Sequence, residues 1–178
     1  RSNWQAVRYN ELIRRQIFFY EEELEAGDVL MAARNNYLWL QEQSQAGFIA
    51  NGDFLEVRKI IDTEERYGLR FAYLRLQFTD YPDDEPFDAW VILDTLHSKT
   101  TSLPEDEHKK LYEETRLQYE HITSKTERRE AMQTDPYLNA LQVKFAYALT
   151  CHKSQGGQWP VAFIDQGLMP DKKPDKEY

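Results

Sequence analysis

With 178 residues, 41% of them hydrophobic and 30% charged, the chain has the composition of a soluble protein with material for a real core, and no apolar run approaches the roughly 18 residues of a membrane span. The formal net charge of −9 excludes broad, nonspecific nucleic-acid binding through charge alone, but not a local basic groove. Cys151 is the only cysteine, which excludes an internal disulfide and a cysteine-based zinc cluster; with no secretory signal at the N-terminus, a reducing, cytoplasmic setting is expected.

Charge is segregated along the chain. Arg1, Arg8, Arg14 and Arg15 precede the acidic run Glu21, Glu22, Glu23 and Glu25. Residues 4–20 read as a helix, with Leu12, Ile13, Ile17 and Tyr20 at helical spacing. Gly27-Asp28 ends that pattern, and the period changes to two. Val29, Met31 and Ala33 alternate, as do Leu74, Leu76 and Phe78, and then Phe87, Ala89, Val91 and Leu93. Turn signals at Asn35-Asn36, Asn51-Gly52-Asp53, Tyr67-Gly68 and Tyr81–Asp84 separate these runs. Short strands at this spacing predict a small antiparallel barrel.

Ser102-Leu103-Pro104-Glu105 has the form of a helix start. Tyr112, Thr115, Tyr119 and Ile122 make a narrow stripe on a densely charged stretch that is expected to stay helical to about residue 133. Asp135-Pro136 breaks it. Leu141, Val143, Phe145 and Tyr147 alternate as a strand, and Val161–Ile164 reads as a short buried one. The tail Pro170–Lys176 has no apolar pattern and is expected to be loose. His97, His108 and His121 read as surface residues. Asn35, Asn36, Asn51, Gly52 and Asp53 read as turn formers, while Tyr37 and Trp39 suit either base stacking or barrel packing.

Between the last two predicted strands lies Cys151-His152-Lys153-Ser154-Gln155-Gly156-Gly157. Thr150 and Ser154 offer hydroxyls, His152 a ring, Lys153 a charge, and the glycines a close backbone approach suited to phosphate. The same composition also describes a surface loop with ordinary turn glycines and a solvated lysine. The spacing G-x-x-x-x-G-K-[ST] of a Walker A loop is absent from the chain.

The stretch "YALTCHKSQGGQWPVAFID" resembles motif V of superfamily 1 DNA helicases, in the form found in RecD-like and UvrD-like C-terminal lobes. The match falls on Thr150, His152, Lys153, Ser154, Gln155, Gly156 and Trp159. "GDVLMAARNNY" and "FIANGDFLEV" resemble the start of the SH3-like barrel inserted in the second motor lobe of these helicases. "RSN" at residues 1–3, with the helix carrying Asn10 and Arg14, resembles motif IV. Residues 95–135 lie outside the resemblance.

What the resemblance implies is an α/β plus β fold. A partial RecA-like second motor lobe (residues 1–26 and 136–178) is interrupted by an SH3-like antiparallel barrel (27–102) and a helical excursion (103–135). The chain would be a piece of an ATP-dependent DNA helicase, inactive towards ATP alone, working with ATP and Mg2+, single-stranded DNA and the N-terminal motor lobe of the same parent. Thr150, His152 and Lys153 would face single-stranded DNA; Gln155, Gly156 and Gln158 would face the nucleotide, Gln158 standing where the family carries Glu. Arg1 and Gln155 would serve catalysis, Arg1 at the γ-phosphate. The alternatives are a noncatalytic DNA- or protein-binding module, or the helicase subunit of an exonuclease V-like complex with a nuclease partner.

Overall fold

A computed structural model describes residues 2–40 and 44–165. Arg1 and the tail 170–176 lie outside the described residues. The elements run α1 (Asn3–Gln16), β1 (Val29–Ala32), β2 (Phe54–Arg66), β3 (Leu69–Phe78), β4 (Phe87–Ile92), α2 (Glu105–Gln118), α3 (Lys125–Gln133) and β5 (Leu141–Phe145). The result is a closed five-stranded barrel with three helices, compatible with an α/β plus β description. None of these helices is long and apolar enough to cross a membrane.

The alternating sequence explains the barrel. Leu55, Val57, Leu74, Leu76, Ala89 and Val91 point inward and are fully buried, while Arg58, Lys59, Arg70 and Arg75 point out. β2 pairs antiparallel with β1 and β3, and β3 with β4. The register of β2 slips at Val57/Lys59 and Ile60/Asp62, irregularities that bend a long strand around a small barrel. Tyr67 and Gly68 both take positive φ, 57° and 73°, as a two-residue hairpin turn between right-twisted strands requires.

β5 closes the barrel. It pairs antiparallel with β1, Leu30 opposite Phe145, and parallel with β4, Val91 opposite Leu141. The sequence reading grouped Leu141–Phe145 with the α/β elements; its hydrogen-bonding partners are barrel strands. A parallel step from β4 to β5 needs a long crossover, and residues 93–140, carrying α2 and α3, supply it. α2 packs on the outer face of β3 and β4: Leu111 and Leu103 join Leu69, Phe71, Ile92 and Ala140 in a second apolar cluster.

Three expectations are corrected. The first helix stops at Gln16, not Tyr20. Phe19 turns left-handed (φ 58°), and the chain folds back so that Phe18 packs on Tyr147 at 4.9 Å and Tyr20 lies against the Arg14 guanidinium. The helical stretch from Ser102 is two helices. Ser124 accepts a hydrogen bond from Glu127 N and starts α3 afresh, and the inward residues of α2 are Leu111 and Thr115 while Tyr112 is exposed. Val161–Ile164 is neither a strand nor buried: Val161, Phe163 and Ile164 are exposed.

Candidate nucleic-acid interface

The loop after β5 leaves the barrel across α1. Asn10, on the inner face of α1 and 4% exposed, reads Ala148 from both sides: its Nδ2 donates to Ala148 O (3.0 Å) and its Oδ1 accepts from Ala148 N (2.8 Å). One turn further along α1, Arg14 forms a two-pronged pair with Asp28, Nε to Oδ1 and Nη2 to Oδ2, both 2.7 Å. Asp28 is fully buried and also accepts from Glu25 N and the Tyr147 hydroxyl. The Arg14 guanidinium lies 4.3 Å from the Phe145 ring centre. The helix, the start of β1 and the end of β5 are thus locked by one charged pair, in which each Asp28 carboxylate oxygen accepts two hydrogen bonds. Burial pushes the Tyr147 hydroxyl above its ordinary pKa, with the neighbouring Asp28 carboxylate adding to the rise.

From Thr150 the chain turns on itself. Thr150 O accepts from Lys153 N (2.9 Å) and Ser154 N (3.1 Å), Gly157 N donates to Ser154 O (3.2 Å), and Ser154 Oγ donates to Cys151 O (3.0 Å). Gly156 takes φ +83°, and nothing lies within 4 Å of where a Cβ would stand; its backbone is open to close approach. Gly157 differs. A Cβ there would meet the Trp159 ring at 2.2 Å, so the space its missing side chain leaves is used within the chain. Trp159 in turn sits edge-on to Phe54 at the start of β2 (6.3 Å, 83°).

The loop touches the barrel through Lys153, whose Nζ donates to Asn51 Oδ1 at 2.6 Å. Asn51 belongs to the 50–53 turn, where Gly52 takes φ +107° and Asp53 Oδ2 accepts from Ala50 N. The sequence marks Asn51 only as a turn former; its role as the seat of Lys153 carries no sequence signal, because the two are 102 positions apart. His152, Gln155 and Gln158 are exposed. The sequence-derived residues Thr150, His152, Lys153, Gln155 and Gly156 therefore share one turn, with Lys153 tied to the barrel and Gln158 in the extended chain that follows. His97, read as a surface residue, lies between Glu11 of α1 (3.2 Å) and Glu23 (3.7 Å).

A small cavity of about 40 Å³ lies beneath this junction, lined by residues of α1, β5 and the loop, among them Asn3, Lys144, Thr150 and Lys153. Lys144 Nζ donates to the carbonyls of Thr95 and Ser98, at 2.5 and 2.6 Å. Burial pushes its amine down from 10.5 to about 8.

Residues 145–178 match the family described as UvrD-like helicase C-terminal domain. The matched segment begins at the last residue of β5 and contains the whole turn. This similarity supports a relationship to superfamily 1 helicases. A comparison with curated proteins finds no match.

Proposed function

We propose that the chain is part of an ATP-dependent DNA helicase of superfamily 1, RecD-like in arrangement. It would supply part of the second RecA-like motor lobe with the barrel as its SH3-like insertion. The observation that carries this reading is the seating of the family-matched turn: Ala148 is held by α1 and Lys153 by the barrel. A turn fixed at both sides transmits displacement of one support to the other.

The residues fit half of a nucleotide site. Lys153, Ser154 and Gly157 spend their N–H groups within the turn, while the exposed Gln155 and the unobstructed backbone at Gly156 remain for phosphate oxygens. ATP with Mg2+ supplies the free energy of binding and hydrolysis. Gln155 and Gly156 would contact its phosphates, and Gln158 would offer a neutral amide near the ribose. Thr150, His152 and Lys153 would face the single strand, Lys153 as its cation. Arg1 would stabilise charge at the γ-phosphate.

The test is ATP hydrolysis by the intact parent protein, with and without single-stranded DNA, beside His152→Ala/Gln155→Ala. Strong stimulation by DNA that the double variant loses is expected. A folded parent protein with no DNA-dependent turnover would refute the proposal.

A further inference from the structure

Trp39 and Tyr37 separate in the structure. Trp39 packs against the barrel core and donates its Nε1–H to Asn139 O at 2.8 Å. Tyr37 is 74% exposed and stacks on Phe48, itself exposed, with ring centres 5.0 Å apart and planes 23° from parallel. The stack is built by the backbone. Asn36 and Ile49 exchange both hydrogen bonds of an antiparallel bridge, at 2.8 and 2.9 Å, which places Tyr37 across from Phe48. Asn36 is further fixed by its amide on Asn139 O and by Leu38 N on its Oδ1. Ile49 is fully buried and anchors the pair from below. The barrel core is complete without either ring. With Phe48 covering one face of Tyr37, the other face is held out to solvent.

Hydrogen bonds connect this stack to the turn described above. Asn35 Nδ2 donates to the Tyr37 hydroxyl (3.3 Å), Asn35 Oδ1 accepts from Asn51 N (2.8 Å), and Asn51 Oδ1 accepts from Lys153 Nζ (2.6 Å). A cation and a rigid, open aromatic face on one connected surface are the two components of single-strand binding: charge for the backbone and a π-face for a base. We propose that Tyr37, supported by Phe48, is a base-stacking platform for single-stranded nucleic acid that continues the track from Lys153 onto the barrel. The inference rests on the helicase reading for the direction of that track. Phe48 contributes as a positioning residue, and Asn35 and Asn51 fix the platform relative to the cation. A proline-rich peptide is the other occupant that exposed aromatics on a small barrel suit; the connection to Lys153 favours the polyanion.

The experiment measures binding of the full chain to three labelled probes: a short oligothymidylate, an abasic deoxyribose-phosphate oligomer of the same length, and a proline-rich peptide. Tyr37→Ala is expected to weaken oligothymidylate binding by about tenfold and to leave the abasic oligomer unaffected. Tyr37→Trp is expected to restore or exceed the original affinity, and Lys153→Met to weaken both oligomers alike. Because Tyr37 is exposed, the unfolding midpoint of its variants should match that of the original chain. If Tyr37→Ala changes neither oligomer, or both equally, while Lys153→Met weakens them, the platform is refuted and the helicase reading stands. If the unaltered chain binds neither oligomer, the platform is refuted, while the helicase reading is decided by DNA-dependent turnover of the parent protein. Loss of peptide binding alone in Tyr37→Ala would assign the stack to peptide recognition and overturn the proposal.

Discussion

The barrel interior and the stretch after β5 draw on the same residue types and treat them oppositely. Leu55, Val57, Leu74, Leu76 and Val91 are fully buried, whereas Val161, Phe163 and Ile164 are 72%, 99% and 80% exposed. The difference lies in the backbone. β4 has β3 on one edge and β5 on the other, so its apolar side chains reach a common interior while its N–H and C=O groups are paired. Residues 161–164 pair with no strand among the described residues, and their side chains have no shared face to fill. Between these extremes runs the seam of Arg14, Asp28 and Asn10, where polar groups, alongside the buried Val7, join α1 to the barrel.

Breaking the seam's charged pair should have the largest effect. Asp28→Ala leaves the Arg14 guanidinium buried without its partner, while its neighbours Glu25 N and Tyr147 lose their acceptor. A loss of about 3–5 kcal/mol is expected, read from urea unfolding. Arg14→Met/Asp28→Leu removes both charges and should recover much of that loss. A double variant as unstable as Asp28→Ala would mean that the pair contributes by its hydrogen bonds to backbone and Tyr147, not by compensating its own burial.

Asn10→Ala acts on the loop side of the seam. It strips both partners from Ala148, at a cost of about 1–3 kcal/mol for the half-buried groups left unpaired. The barrel ladder does not depend on Asn10. Hydrogen exchange should therefore accelerate at Ala148 and through residues 150–157, with β2, β3 and β4 amides unchanged. Uniform acceleration would show that loop and barrel open as one unit, and would erase the contrast between them.

Much of the barrel was legible because its physics is local. Alternation at Leu74–Phe78 and Phe87–Val91 matched the strands, and Tyr67-Gly68 matched its turn. The break between α2 and α3 was also written in the sequence: Ser124 and Glu127 have the spacing of a helix cap. A stripe running through Tyr119 and Ile122 obscured it, since helical spacing persists across a break of any length that preserves phase. The early end of α1 was not legible. It depends on Phe18 and Tyr20 finding Tyr147 and Arg14, contacts made only in the folded chain. For the site, residue types between Thr150 and Gln158 identified the turn, but nothing local identified Asn51 as the acceptor for Lys153. Gly156 and Gly157 look alike in sequence; only the folded chain distinguishes them, leaving open backbone at one and setting the Trp159 ring against the other.

The smallest expected effect concerns pH and sharpens the contrast between seam and loop from beneath the cavity. Lys144 shares that cavity with Lys153, and its hydrogen-bond acceptors are backbone carbonyls, Thr95 O and Ser98 O. Its folded pKa of about 8 lies below the ordinary 10.5. Between those values the unfolded chain retains a proton that the folded chain has released. Raising pH through this window therefore favours the folded state, and the burial penalty on Lys144 is full only below about 8. Tyr147 works in the opposite sense. Its hydroxyl is held above 10.0 in the folded chain, so once pH passes that value the unfolded state loses protons first and stability falls. Urea unfolding across alkaline pH should show a shallow rise that turns over near 10 as tyrosine ionisation begins. Lys144→Met should flatten the rising limb and leave the falling limb in place, whereas Tyr147→Phe should leave the rising limb and make the falling limb less steep, the remainder belonging to Tyr119 and Tyr137, which burial also raises. A rising limb that survives Lys144→Met would assign it to a different group and show that Lys144 is hydrated through the cavity it lines.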